Sequence, residues 1–195
     1  QVIEDAAALL ALTAARRGIR VGALLFSDRV EAFIPPGGGQ RHAWEVVRQV
    51  IAAAPAGTGT DLKLALDFAQ GQFKSRAMVV LLSDLLGEGW ADSMSAVAKR
   101  HDFRAVRVAD PAEIKPLPDA GLVLMRDAET GAQRWVDTSS SAYREAAGEA
   151  VKGRERRVAA GLEAARTRPI TLYTDDDPIE GLSREFLAKK AGARK

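Results

Sequence analysis

The chain has 195 residues, 47% hydrophobic and 28% charged, enough for one α/β domain with its own core and too few for two full domains. Its 28 basic residues exceed its 26 acidic ones by only two, a small surplus that argues against a nucleic-acid surface. With no cysteine, disulfides, thiolate catalysis and zinc–sulfur sites are excluded, which suits a reducing, cytoplasmic setting, and no apolar run reaches the length of a membrane span.

In chain order, Ile3 to Arg17 predicts a helix with Ala6, Leu9, Leu10 and Thr13 on one face and Gly18 as its stop. Ile19 to Phe26 reads as a buried strand. After the Ser27-Asp28 turn, Val30, Ala32 and Ile34 alternate with charged or bulky neighbours, as on a half-exposed edge strand of a hairpin. Pro35 to Gly39 reads as a loop, since its three glycines lack the Gly-Lys-Ser/Thr ending of a phosphate loop. Trp44, Val47, Val50, Ile51 and Ala54 then repeat at helical spacing, and Leu62, Ala65, Leu66, Ala69 and Phe73 form the apolar stripe of a second helix whose first turn carries Thr60 and Asp61.

The run Met78-Val79-Val80-Leu81-Leu82-Ser83 has no polar alternation, so it predicts a strand covered on both faces, as in a parallel sheet. It stops at Asp84, which puts a carboxylate where ligands enter open α/β sheets, beyond the carboxyl ends of the strands. The glycine-rich turn Gly57-Thr58-Gly59-Thr60-Asp61 can bring a hydroxyl to the same edge. Trp90, Met94, Val97 and Ala98 predict a helix ending near His101, and Phe103 to Ala109 another strand. Strand and helix in alternation argue for a doubly wound, mostly parallel sheet flanked by helices, with one antiparallel edge strand. Residues 111–137 depart from it: Gly121 to Met125 and Gln133 to Val136 flank the turn-rich 127–131, predicting an inserted β-hairpin. Asp137, Thr138 or Ser139 caps a long helix carrying Tyr143, Ala147, Val151, Val158, Leu162 and Ala165. Pro169 to Thr174 is the last strand, and Asp177-Pro178 opens a last helix buried through Ile179, Leu182, Phe186 and Leu187, ahead of a basic, fraying tail from Lys189 to Lys195.

A right-handed crossover helix needs a strand on each side, yet here a helix leads directly into Ile19 to Phe26. A strand ahead of Gln1 is therefore expected to be missing from this stretch.

The succession Arg17-Gly18-Ile19-Arg20-Val21-Gly22, Leu25-Phe26-Ser27-Asp28, Gly57-Thr58-Gly59-Thr60-Asp61-Leu62, Leu81-Leu82-Ser83-Asp84 and Leu117-Pro118-Asp119-Ala120-Gly121 resembles the bacterial domain-of-unknown-function family 58 across essentially the whole chain. The resemblance implies a von Willebrand factor A-like fold, in which a metal-ion-dependent adhesion site draws on an Asp-x-Ser-x-Ser motif after the first strand, a Thr in a second loop and an Asp after the central strand. Thr60 and Asp84 match the last two. The first motif would lie ahead of Gln1, on the strand expected to be missing, so this stretch alone should bind Mg2+ poorly or not at all. In that fold the first strand lies between Ile19 to Phe26 and Ala77 to Ser83. Its absence leaves two alternatives: the flanking strands close up, or a strand from another copy or from an upstream piece fills the slot. The second is expected, and with it oligomers or aggregates of this stretch alone.

Each site residue has a structural reading beside the functional one. Thr60 could cap its helix, and Asp84 could be a turn carboxylate, as could Asp28, Asp110 and Asp175. Asp175 to Asp177 fits helix capping beside Pro178, Gly153 to Arg157 a solvated helix face, and neither His42 nor His101 has a serine placed for a triad. The expected function is a non-catalytic protein-interaction module whose metal is completed by a partner's carboxylate, the resemblance implying MoxR-type AAA ATPases as partners. The alternative is a metal-assisted hydrolase, which would need a general base near the metal. Glu88 is the one histidine or glutamate close to either motif in sequence.

Overall fold

The computed structural model describes residues 1–57, 59–111, 118–126 and 133–182. In chain order these form α1 (Val2–Arg16), β1 (Val21–Phe26), β2 (Val30–Gly37), α2 (Gln40–Ile51), α3 (Leu62–Gln72), β3 (Met78–Ser83), α4 (Ala91–Arg100), β4 (Asp102–Ala109), β5 (Leu122–Arg126), β6 (Gln133–Asp137), α5 (Ser141–Ala164) and β7 (Ile170–Tyr173). A helical turn at 178–182 follows.

Parallel pairing joins β3 to β4 and β4 to β7, so β4 is the inner strand and runs as a nearly continuous buried segment. β1 and β2 form an antiparallel pair, and β5 and β6 a second one. The chain is thus mixed α/β, with a parallel sheet flanked by helices and two antiparallel strand pairs. One continuous sheet was expected; among the described residues the strands fall into three sheets, and β1 is not hydrogen-bonded to β3.

Helices cover both faces, and the period of two along β3 sorts them. Val80 and Leu82 pack with Ala6, Leu9 and Leu10 of α1, whereas Val79 and Leu81 pack with Leu62 and Leu66 of α3 and with the α4 and α5 residues Met94, Val97, Val158 and Leu162. β1 divides in the same way, Val21 and Ala23 toward α1 and α2, Phe26 toward α3. Helices α1 and α3 therefore clasp both sheets from opposite sides, which keeps β1 and β3 in one layer although no ladder joins them.

Several local expectations are corrected. Thr13 is exposed, and the fully buried positions of α1 are Ala6, Ala11 and Ala15. In α2 the buried face is Ala43, Val46 and Val47, leaving Trp44 and Ile51 exposed and Ala54 beyond the helix. Pro35 to Gly37 continues β2 instead of looping, because Val21 pairs with Gly37 across the hairpin. The cap of α5 is Ser140, since Thr138 is fully buried between Ala120 N–H and Gly121 O, and Asp137 holds Ser139 in a turn. Ile179 is exposed while Leu182 is buried. Phe186, Leu187 and the basic tail lie outside the described residues, as do Thr58 and the turn 127–132.

Candidate functional site

The carboxyl edge is assembled by the end of β1. Asp61 N–H donates to Ser27 O (2.8 Å), tying the segment before α3 to β1. Glu31 of β2 receives the N–H groups of Ala56 (3.0 Å) and Gly57 (2.9 Å) on one carboxylate oxygen, and also the Ser27 hydroxyl. These bonds favour the anion and hold the Glu31 carboxyl below its ordinary range. A Cβ on Gly57 would overlap Asp28 Oδ1 and Ser27 Oγ, so both side chains would have to move aside.

Asp61 caps α3, its Oδ1 accepting Leu64 N–H at 2.9 Å. The capping role that competed for Thr60 is thus filled by its neighbour, and Thr60 stays exposed. Asp84 follows β3 in a tight turn: Leu86 N–H donates to its Oδ1 (2.9 Å), as does the Ser83 hydroxyl (3.3 Å), while Leu85 N–H donates to Ser83 Oγ (3.1 Å). Leu85 is held at φ 61°, a left-handed conformation unusual for leucine, with its side chain fully buried. Beyond it, Trp90 Nε1–H donates to Gly87 O (2.9 Å), and a Cβ on Gly87 would meet Thr60 O at 3.9 Å. The loop after Asp84 therefore lies against Thr60, and both predicted residues occupy one edge.

Arg107 and Glu155 join this edge, which nothing in the spacing signals. Arg107 sits on β4 opposite Ser83, is largely buried, and forms a two-pronged ion pair with Glu155 of α5, one prong being 2.7 Å. The pair depresses the Glu155 carboxyl and raises the Arg107 guanidinium, to which Asp84 adds a smaller push in the same direction. Asp84, Arg107, Asp110, Arg154 and Glu155 line one shallow crevice. The helix segment 153–157 is thus more than a solvated face.

Three further aspartates of this edge have local partners. Asp28 pairs with Arg29 (2.9 Å) beside Gly57. Asp176 accepts Tyr173 N–H (3.0 Å) and Asp177 accepts Ile179 N–H (2.8 Å), the turn and capping roles expected of this acidic run. Both histidines stand at the amino ends of strands, His42 on Val21 O (2.9 Å) and His101 accepting Ala77 N–H (3.3 Å), far from the carboxyl edge. Among the described residues, no three His, Asp or Glu side chains gather as a ready metal cage.

The chain resembles known proteins in sequence and in fold. Uncharacterized proteins of Mycobacterium tuberculosis (Rv1480) and Mycobacterium bovis (Mb1516) are 30% identical over 191 residues, covering 96% of this chain and 60% of theirs. The chain thus spans about three fifths of the length of these relatives. An uncharacterized protein of Mycobacterium avium (MAV169) is 33% identical over 157 residues, 78% of this chain and 92% of its own. The crystal structure of the conserved hypothetical protein BatB from Bacteroides thetaiotaomicron matches the fold with a TM-score of 0.52 at 15% identity, covering 97% of this chain and 88% of BatB. The model of the family described as "Protein of unknown function DUF58" matches residues 1–157, and the chain belongs to that family.

Proposed function

We propose that this chain is a non-catalytic protein-interaction module of the von Willebrand factor A-like kind, with a metal-ion-dependent adhesion-type site at the carboxyl edge of its sheets. The observation that carries the reading is that Thr60 and Asp84 come to one edge with the helix cap supplied by Asp61, so that the Thr60 hydroxyl has no capping duty. Both are oxygen donors, the chemistry a hard cation selects, but they fill two of about six positions around Mg2+. Water and further protein oxygens must supply the rest. Bound there, Mg2+ would offer an open position to a carboxylate of a partner protein, for which we propose a MoxR-type AAA ATPase. The hydrolase alternative is less well supported, because Glu31 and Glu155, which do reach this edge, are held as anions by hydrogen-bond donors and are poor proton acceptors.

Pull-down of the partner by the full-length protein, with and without Mg2+, tests the reading. Asp84→Asn keeps the turn acceptor for Leu86 N–H and weakens the ligand, while Thr60→Val keeps shape and removes the hydroxyl. Each should cut Mg2+-dependent capture at least about tenfold, the loss expected of a charge-assisted contact. Capture that survives both variants and chelation would remove the site from this edge.

A further inference from the structure

The net charge of +2 is not spread evenly. Helix α1 ends, and α2 begins, at the end of the β1–β2 hairpin where Val21 pairs with Gly37. The two helices lie side by side, Ala11 of α1 packing with Val46 and Val47 of α2. At that corner Gly18, at φ 72°, turns the chain out of α1, so that Ile19 N–H closes on Ala14 O (3.0 Å) and its side chain stays exposed. Arg20 donates to Pro36 O (2.6 Å), which ties this turn to the segment entering α2. Arg16, Arg17, Arg20 and Arg41 are all exposed there, none of them in an ion pair among the described residues. From Arg41 the outer flank of α2 continues at helical spacing through Trp44, Arg48 and Ile51, with Trp44 58% and Ile51 59% exposed. The acids of α1, Glu4 and Asp5, sit in its first turn at the far end, and Glu45 of α2 is held by Arg48 and Gln49.

Fold stability does not account for this pattern. Arg16 and Arg17 suit the negative end of α1, but Arg41 stands in the first turn of α2, where a cation opposes the helix dipole and no acid offsets it. Trp44 and Ile51 are left out of the core that Ala43, Val46 and Val47 make on the other side of the same helix. Arginine and tryptophan with single aliphatic side chains on a convex flank suit a helix lying in the plane of a lipid interface, where charges meet anionic headgroups and apolar tips enter the acyl boundary. A nucleic acid would engage the arginines and leave Ile19 and Ile51 in water. A folded acidic protein would have to provide pockets for three separate projecting side chains, which a fluid interface receives without any. We propose that this corner, Arg16 to Arg20 with the outer flank of α2, is a docking surface for an anionic lipid leaflet, with α2 lying along it. The corner begins at the edge opposite Thr60 and Asp84, and the inference does not depend on a metal there.

The test is co-sedimentation of the full-length protein with vesicles of phosphatidylcholine alone and of phosphatidylcholine mixed with phosphatidylglycerol. Binding should favour the anionic vesicles and fall in high salt. Arg16→Gln with Arg41→Gln should weaken it about fivefold per arginine, and Ile19→Ser and Trp44→Ser should each weaken it at least about fivefold. All four positions are exposed, so the variants keep the fold. Arg156→Gln with Arg157→Gln, exposed on α5, should leave binding unchanged. Equal binding to both kinds of vesicle, a loss from the α5 pair as large as that from Arg16 and Arg41, or binding that Ile19→Ser and Trp44→Ser leave intact would overturn the proposal. So would duplex DNA or polyglutamate binding with the same dependence on Ile19, Trp44 and the two arginines, which would assign the corner to a nucleic acid or to an acidic protein.

Discussion

Leu85 offers a quantitative test of how Asp84 is aimed. Its side chain is 0% exposed and its φ is 61°, so the residue carries two opposing effects. Truncating a fully buried leucine costs about 2–5 kcal/mol. The left-handed conformation costs a non-glycine residue about 1–2 kcal/mol, which glycine recovers, while glycine loses about 0.5–1 kcal/mol more backbone entropy than alanine on folding. Leu85→Ala should therefore destabilise by about 2–5 kcal/mol, and Leu85→Gly by the same or up to about 1.5 kcal/mol less, the span of the difference between those two effects and the reverse of the usual ranking. Urea unfolding of the two variants side by side gives the ordering, with equal slopes as the check that the same surface is exposed. A glycine variant less stable than the alanine variant would refute the reasoning, and with it the turn that holds Asp84 Oδ1 on Leu86 N–H.

Two further outcomes follow from the same edge and its opposite. Gly57→Ala should displace the 56–61 loop and cost about 1–3 kcal/mol as an overpacked contact, with loss of Mg2+-dependent partner capture, whereas Gly59→Ala, whose added Cβ would lie 3.9 Å from Asp28 Cβ, should be tolerated; equal unfolding free energies for the two would contradict the close approach. His101 is buried, and burial first, then Arg100 and Arg76, lowers its pKa from 6.5. The unfolded chain binds the proton that the folded one refuses, so this contribution is complete above pH 6.5 and is lost as pH falls from there toward the lowered folded value. His101→Asn should flatten stability between about pH 7.5 and 5.5, and an unchanged slope would place the sensitivity on another group.

Local chemistry was legible wherever one residue acts on its own stretch of chain. The uninterrupted apolar run 78–83 announced a strand covered on both faces, the alternation at Val30, Ala32 and Ile34 announced the antiparallel partner, and the stripe at Leu62, Ala65, Leu66 and Ala69 kept its phase in α3. Phase failed in α2, where Trp44 looked apolar enough to bury and is exposed, because the helix turns its alanine and valine side to α1 and β1. The choice of Asp61 over Thr60 as the cap was equally invisible, since both residue types suit the role.

By itself the sequence determined the α/β class, the order of elements, the absence of thiol chemistry and the two residues Thr60 and Asp84 as edge candidates, because each rests on periodicity, composition or a short motif. Only the tertiary structure decided what meets what. Glu31 reaching Ala56 and Gly57 spans about 25 residues of chain, and Arg107 reaching Glu155 spans 48; such pairs depend on which strand ends share an edge, and spacing along the chain carries no record of that. That β1 and β3 do not close up on each other was settled only in three dimensions, although the resemblance had already implied a strand between them.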